Sequence, residues 1–190
     1  IKERGSTSSH QLFDSVRGAG SNLNPDGAFL PGTGGLTAFN KDGFSLKVSE
    51  TTVNEDGVSH VGWGWTAGGK PSGSALSLSG GVGAGTISSG LTNITNVTQS
   101  VNQNTGFSIT KFRGAANGGS FPHNLGGAPS WVIIKNITNE NSVGQQEWAV
   151  WHKNLTATTG KAIFLSTGGT EAASSYFNYS GVDMGSNTTL

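Results

Sequence analysis

The chain has 190 residues, including 31 glycines, and its 11 basic and 11 acidic side chains give a formal net charge of zero. This balance argues against a nucleic-acid partner, which would require a basic patch or stripe. The absence of cysteine excludes a disulfide framework. Because no apolar run approaches the ~20 residues that span a bilayer, we also expect no membrane partner.

The ends of the chain are abrupt. Its first residue is Ile1 rather than methionine, and no signal peptide is recognisable. We therefore expect a processed chain or part of a longer product.

The first 69 residues carry short period-two patterns. Phe44, Leu46 and Val48 alternate with polar residues, and Val61, Trp63 and Trp65 alternate with His60 and three small residues. Frequent glycine, serine, threonine and asparagine are poor helix-interior residues, and turn signals stand between the patterns. The sequence therefore predicts an all-β fold of β-sandwich or jelly-roll-like units with little or no helix.

Residues 70–105 form a connector rich in glycine, serine, asparagine and threonine. It contains no aromatic residue, and Lys70 is its one charged residue. Such a composition is typical of a flexible linker. Its spaced leucine, isoleucine and valine residues equally favour an extended β-ribbon that packs against something outside the chain.

Strand patterns resume at residue 106. Phe107, Ile109 and Phe112 mark the first strand, and the apolar run 131–134 predicts a strand buried on both faces. Two further alternating patterns follow, around Ala149 and Trp151 and around Ala162 and Phe164.

The two flanks contain similar features in the same order. Phe39-Asn40 begins an F-N-x-x-G turn that recurs at Phe177-Asn178, and Ile1-Lys2 matches Ile134-Lys135. A recurrence in fixed order is typical of tandem copies. We therefore predict that 1–69 is the back half of one β repeat, 70–105 a connector, and 106–190 the front part of a second, related unit.

The motifs GFSITKFRG, SFPHNLGGAPSWVIIKN and EWAVWHKNL resemble a repeat domain in tail fibres and other virion structural proteins of tailed phages, especially marine cyanophages. The resemblance covers both flanks but not the connector. It implies a non-enzymatic structural role and assembly into a particle. The matching positions are Gly106–Ile109, His123, Leu125, Gly126, Ala128, Pro129, Ile133–Lys135, Trp148, Val150–His152 and, in the preceding copy, His10–Gly20 and Val61–Trp65.

No motif predicts a catalytic, cofactor-binding or metal site. The histidines at 10, 60, 123 and 152 lack metal-ligand spacing, and structural roles are favoured for them. The glycine run 80–85 lacks the lysine of a phosphate-binding loop. The acidic turns 24–26 and 54–56 lack a calcium-loop spacing, so hairpin turns are favoured there. Without paired carboxylates or a nucleophile motif, we expect no enzyme activity.

The five tryptophans are the strongest binding candidates. Trp63 and Trp65 share one face by period two, and core filling or an interface is the default for such a pair. Exposed tryptophans would instead stack on sugar rings. The tryptophans are Trp63, Trp65, Trp131, Trp148 and Trp151.

Six N-x-S/T sequons also occur, and chance explains most of them in a chain rich in asparagine and threonine. They begin at Asn93, Asn96, Asn136, Asn154, Asn178 and Asn187.

The sequence thus predicts a structural component of a phage virion, located in the extracellular particle as a tail fibre, appendage or capsid-surface protein. Its expected partners are further copies of itself or other virion proteins, with a host surface glycan as a further candidate. The alternative is a glycan- or receptor-binding adhesion module. In the structural interpretation, Val61, Trp63 and Trp65 form a closing strand that seals a core.

Overall fold

A computed structural model describes residues 1–138, 147–156 and 160–173. The fold is all-β, as predicted, with antiparallel sheets and no helix in the described ranges. The strands are β1 (Lys2–Glu3), β2 (Leu12–Asp14), β3 (Gly18–Leu23), β4 (Gly32–Thr33), β5 (Leu36–Asn40), β6 (Gly43–Leu46), β7 (His60–Val61), β8 (Val82–Ile87), β9 (Thr95–Asn102), β10 (Phe107–Arg113), β11 (Trp131–Lys135), β12 (Trp148–His152), β13 (Lys161–Phe164) and β14 (Ala172–Ala173). No helix that could span a membrane occurs in these ranges.

The chain forms two compact units, each assembled from separate stretches of sequence. Unit 1 comprises Ile1–Gly64, Ile133–Val150 and Ile163–Thr170. Unit 2 comprises Trp65–Val132, Trp151–Ala162 and Glu171–Leu190. The predicted repeat boundaries at 69/70 and 105/106 remain a prediction. The second of them falls in the turn between β9 and β10.

Unit 1 contains several small antiparallel sheets. Strands β2, β3 and β4 form one sheet, β5 pairs with β6, and β1 pairs with β7. Leu23, Leu36 and Val53 are buried. Gly35 lies against Val53 with a φ of +83°, and its absent Cβ would meet the ring of Phe13. Glycine is therefore required where this strand enters the core.

Trp148 is buried in unit 1 and held there by hydrogen bonds from its indole N–H. It is 3% exposed, and its Nε1 donates to the carbonyl oxygens of Asn24 and Gly27 at 3.0 and 3.2 Å. The turn between these residues is closed by a backbone bond from Gly27 N to Asn24 O. The indole thus satisfies two carbonyl groups of a turn while burying its apolar body.

The F-N-x-x-G turn predicted from Phe39 forms a hairpin between β5 and β6. Phe39 pairs with Phe44, and Asn40 pairs with Gly43. Strand β6 ends at Leu46, before the predicted last member of its apolar face, and Val48 is exposed. The second copy of this turn, at Phe177-Asn178, lies outside the described residues.

Unit 2 is built on a three-stranded antiparallel sheet with the order β10-β9-β8. Ile94, Val97 and Phe121 form its buried cluster, and Phe112 packs against them. The rings of Phe112 and Phe121 lie 4.7 Å apart between centroids. Aromatic contact of this kind adds about 0.5–1.5 kcal/mol beyond area burial.

The flexible-linker interpretation of residues 70–105 is wrong for the strands that they contain. Strands β8 and β9 lie wholly within this segment, and Val97 and Val101 are buried. The ribbon interpretation holds for the strand conformation, but the ribbon pairs with β10 of the same chain. Small residues permit this arrangement because Gly83 and Gly85 lie against the backbone of Ser77 and Leu76.

Two burial patterns differ from those predicted. Strand β11 was predicted to be buried on both faces, but Trp131 and Ile133 are exposed while Val132 is buried. Strand β12 was predicted to alternate, but Ala149, Val150 and Trp151 are all buried. A continuous apolar run and an alternating pattern both leave open which face another element covers.

Candidate aromatic binding surface

The segment 65–69 crosses the sheet of unit 2 in close contact with its backbone. A Cβ on Gly68 would lie 1.9 Å from the Gly83 carbonyl oxygen and 2.4 Å from that of Val101. Ser100 Oγ donates to Gly69 O at 2.7 Å. The segment is thus fixed by a steric requirement for glycine and by a hydrogen bond from a buried serine.

The same segment presents Trp65 to solvent. Trp65 is 60% exposed, and its ring stacks on Phe107, the first residue of β10, with 6.4 Å between centroids and 22° between planes. Thr105 Oγ1 donates to Thr66 O at 2.9 Å. These contacts give the indole a fixed backbone and a ring neighbour, so an exposed aromatic surface is held in place.

A polar turn adjoins this ring pair. Asn102 Oδ1 accepts hydrogen bonds from the backbone N–H groups of Asn104 and Thr105 at 3.0 and 3.2 Å. Gly106 completes the turn with a φ of +67°. Asn104 Nδ2 donates to Gly80 O at 3.1 Å. These hydrogen bonds hold the turn that leads into Phe107. We name Trp65, Phe107 and the turn 102–106 the aromatic platform.

A buried polar network supports the sheet beneath. Gln99 is 0% exposed, and its Nε2 donates to Thr110 Oγ1 and Pro122 O at 2.8 and 3.0 Å. Its Oε1 accepts from Asn124 Nδ2 at 2.7 Å. Every polar atom of the carboxamide is therefore paired inside the protein, which stabilises a unique arrangement of strand and loop.

His123 belongs to the same loop and is fully buried. Its Nδ1 accepts a hydrogen bond from Leu125 N at 3.1 Å. This contact agrees with the turn predicted at this residue and assigns the imidazole a structural role.

The outer edge of β10 is the second notable surface of unit 2. Gln103 N donates to Gly81 O, so its N–H points towards β8. Because backbone groups alternate along a strand, Ser100 and Asn102 face β10. Ser100 pairs with Ile109, and Asn102 pairs with Phe107, so the backbone groups of Ile109 and Phe107 face β9. Ser108 lies between them, and its backbone groups therefore point away from the sheet.

The two edges of this sheet differ. The outward groups of β8 are bonded by the chain itself, since Leu76 N donates to Thr86 O and Thr86 N donates to Ser74 O. In the part of the chain that the structure describes, no backbone partner bonds the outward groups of Ser108 or Thr110. Within the described residues, β10 therefore presents the outward backbone groups of Ser108 and Thr110 to no other backbone segment.

The predicted closing strand does not seal a core. Strand β7 covers His60 and Val61 alone, and Trp63 and Trp65 are 58% and 60% exposed. The intervening glycines supply no side chain to pack, and β7 pairs with the two-residue strand β1. The alternating pattern correctly predicted a strand that begins at His60. The prediction that Trp63 and Trp65 seal a core is wrong, because both side chains are exposed.

The remaining histidines occupy different surroundings. His10 lies 3.7 Å from Asp26, and His60 Nδ1 lies 3.0 Å from Val58 O. His152 Nδ1 accepts from Asn154 N at 3.1 Å. No cluster of three potential metal ligands occurs in the described residues.

The other motifs adopt local structure. The acidic turns close on themselves, with Gly27 N donating to Asn24 O and Val58 N donating to Glu55 O. The glycine run 80–85 forms a turn and the start of β8, with Gly80 and Gly81 at positive φ. Of the sequons, those at Asn178 and Asn187 lie outside the described residues.

Sequence reasoning missed the pairing of Trp65 with Phe107. The two residues are far apart in sequence, and the segment between them was interpreted as a connector. The asparagine–threonine turn before Phe107 could have predicted the hairpin of β9 and β10, since N-x-x-T-G between apolar runs favours a tight turn. No local signal indicates the contact of Phe107 with Trp65.

A family model described as a domain of unknown function (DUF7483) matches residues 1–189. A search of curated proteins and a search of solved structures found no match. Because the family model spans nearly the whole chain, the chain belongs to the DUF7483 family.

Proposed function

We propose that this member of the DUF7483 family is a non-enzymatic structural component of a phage virion, such as a tail fibre, an appendage or a capsid-surface protein. In this proposal it is built from tandem β repeats and associates with further copies of itself or with other virion proteins. It acts in the extracellular particle, without a nucleic-acid or membrane partner.

The outward edge of β10 at Ser108 and Thr110, which no other described backbone segment bonds, is the observation that carries this proposal. An unpaired strand edge is a template for pairing with another chain, and proteins that remain monomeric usually cover it. Strand addition supplies main-chain hydrogen bonds between subunits without a large apolar interface. This suits a chain in which only 12% of residues are charged and no cysteine is present to link subunits.

Proline at position 108 tests assembly through this edge. The N–H of Ser108 points outward, so Ser108→Pro removes an edge donor while sparing the bonds to β9. We expect sedimentation velocity to show oligomers of the wild-type chain and a shift towards monomer in the variant. Ile109→Pro is the matched comparison, since its N–H bonds β9 and its loss should lower the free energy of unfolding.

Two results would contradict assembly at this edge: a wild-type chain that sediments as a monomer at every concentration, or a Ser108→Pro variant that associates as strongly as wild type.

The location in a virion has its own test. Gold-labelled antibodies against the chain should decorate a defined part of the particles of a phage whose genome encodes it. Particles that contain no such chain by mass spectrometry would refute the placement.

The second candidate function is a glycan- or receptor-binding adhesion module. It is favoured by the exposure of three of the five tryptophans, namely Trp63, Trp65 and Trp131, which are 58%, 60% and 53% exposed. Large aromatic side chains usually bury most of their area, and their exposure is typical of surfaces that bind a partner.

A further inference from the structure

The outward edge of β10 is open in the described part of the chain, whereas the opposite edge of the same sheet is closed. Leu76 N donates to Thr86 O, and Thr86 N donates to Ser74 O, so the segment before β8 occupies the outer side of that strand. Copies of this sheet therefore cannot stack head to tail, with β10 of one copy on β8 of the next. The pairing that remains between two such sheets is β10 with β10, which is the isologous contact of a two-fold dimer.

The edge is complementary to itself when the two strands run antiparallel. Ser108 and Thr110 each turn an N–H and a carbonyl group outward. In an antiparallel ladder, residues that exchange both main-chain bonds alternate with residues that exchange none. With Ile109 on a two-fold axis, Ser108 lies opposite the partner's Thr110, and Thr110 lies opposite the partner's Ser108. Every outward group of these two residues then has a hydrogen-bonding partner.

Neighbouring registers satisfy this edge less well. An axis at Ser108 would place Thr110 opposite Gly106, which lies in the turn before β10 begins. An axis at Thr110 would place Ser108 opposite Phe112, which lies at the irregular step of the β9–β10 ladder. The axis at Ile109 therefore keeps both pairs within the regular part of the strand.

The charges of β10 favour the antiparallel direction. Lys111 and Arg113 are its charged residues, and both are exposed. Parallel pairing would bring the basic ends of two copies side by side, and like charges on neighbouring strands are destabilising. Antiparallel pairing instead places Lys111 opposite the partner's Phe107. Because Phe107 stacks on Trp65, each ammonium group then lies on the face of the partner's aromatic platform, to which a cation is attracted.

We propose that two copies of this chain join through their β10 strands, antiparallel about a two-fold axis at Ile109, so that two three-stranded sheets become one continuous sheet. This inference rests on the proposed function and identifies the partner at the β10 edge as a second copy of the chain. The side chains fit the same register. Thr110 Oγ1 accepts from Gln99 Nε2, and its own O–H donates to the hydroxyl of the partner's Ser108 across the strand pair.

Disulfide mapping tests this register, because the chain contains no cysteine of its own. Ile109→Cys would place two thiols at the axis, where the Cα atoms of such a pair lie about 4.5 Å apart, within the range that a disulfide spans. Lys111→Cys is the exposed control, since its two copies would lie about 13 Å apart along the strands. With oxidised glutathione, we expect at least tenfold more cross-linked dimer from Ile109→Cys than from Lys111→Cys.

A second variant shows that the cross-link depends on the strand edge. Ser108→Pro in the Ile109→Cys background removes an outward N–H, so it should lower the yield of dimer at least fivefold. The same chains in concentrated urea give the yield from random collision, and circular dichroism shows whether each variant is folded.

An Ile109→Cys chain that fails to fold is replaced by a mixture of Ser108→Cys and Thr110→Cys chains. These two positions face each other in the dimer at about 5.5 Å between Cα atoms, and neither faces its own copy. We expect disulfides between the two variants and few within either variant alone.

The proposal is overturned if folded Ile109→Cys cross-links no more than Lys111→Cys, if Ser108→Pro leaves the yield unchanged, or if the mixture forms no disulfide between its two variants. Its failure is distinguishable from failure of the virion proposal. Particles decorated by the antibody, together with no cross-link at position 109, would refute self-pairing alone. A cross-link at position 109 in a chain that the particles lack would refute the virion placement alone.

Discussion

Gly68 lies directly on the backbone of Gly83, so close that a Cβ on Gly68 would stand 1.9 Å from the Gly83 carbonyl oxygen. The contact joins the segment that carries Trp65 to the strand β8. It brings together two glycines from a stretch in which composition alone suggests flexibility. Position 68 therefore requires glycine, because a side chain there would collide with the backbone of β8.

Replacing Gly68 with alanine should destabilise unit 2. The methyl group would meet two carbonyl oxygens, of Gly83 and Val101, which belong to paired strands and have little room to move. Overpacking of this kind costs about 1–3 kcal/mol. Chemical denaturation, followed by circular dichroism, should show the loss in the free energy of unfolding.

Gly114→Ala is the matched control for this change. It lies in the same unit, has an ordinary φ, and has no atom within 4 Å of the added methyl group. We expect it to unfold as wild type. Equal stability of the Gly68→Ala and Gly114→Ala variants would show that the crossing segment is not held as described.

Replacing Gln99 should lower the free energy of unfolding, because its carboxamide makes three hydrogen bonds inside unit 2. Gln99→Leu would remove the donor to Pro122 O and the acceptor of Asn124 Nδ2, which would keep only the long bond of 3.5 Å between that nitrogen and Pro122 O. Each unsatisfied buried group costs about 1–3 kcal/mol. We expect a loss of about 2–3 kcal/mol in the free energy of unfolding, because the remaining bond between Asn124 Nδ2 and Pro122 O partly satisfies both groups.

Thr110→Val is the comparison for this prediction. It removes the hydroxyl that accepts from Gln99 Nε2, while that nitrogen keeps its bond to Pro122 O. The expected loss is about 1 kcal/mol. If the threonine variant is the less stable of the two, the glutamine is not the centre of the network.

Period-two patterns and turn residues were sufficient to predict the all-β fold. They located the β5–β6 hairpin at Phe39–Phe44 and the strand that begins at Phe107. Such signals are local, since they depend on alternation and on turn chemistry within a few residues. Hairpins and strands that such local signals define were therefore predicted well.

The sheet of residues 82–113 was harder to predict because its strands are defined by tertiary contacts. Gln99 and Asn102 look like solvent-facing residues in sequence but are buried with their hydrogen bonds satisfied. Conversely, the alternation of Trp63 and Trp65 indicated a shared face without showing whether anything covers it. Pattern identifies faces, whereas burial depends on neighbours far away in sequence.

Trp148 should contribute to the stability of unit 1 through its N–H as well as its ring. Trp148→Phe keeps most of the apolar volume but removes the N–H that bonds Asn24 O and Gly27 O, of which Asn24 O keeps its bond from Gly27 N. We expect a loss of about 1–3 kcal/mol in the free energy of unfolding. Trp131→Phe, at a site that is 53% exposed, should be nearly neutral in the same denaturation experiment.

Glu3 should make the stability of unit 1 depend on pH. Hydrogen bonds from the hydroxyls of Ser6 and Ser8 to its carboxylate lower the pKa of Glu3 from its ordinary value of 4.5. A carboxyl group whose pKa is lower in the folded state stabilises the fold above the unfolded pKa. That contribution is complete above pH 4.5 and is lost as the pH falls through the folded pKa.

A double variant, Ser6→Ala with Ser8→Ala, isolates this effect. It should return the pKa of Glu3 towards 4.5, so it should be less stable than wild type at neutral pH, with a difference that shrinks as the pH falls below that value. Denaturation curves across this range measure the difference. In a Glu3→Gln background the pH dependence of that difference should vanish, because no carboxyl group remains to titrate. A difference between wild type and the serine variant that stays constant with pH would show that the hydroxyls act on the fold without favouring the charged form of Glu3.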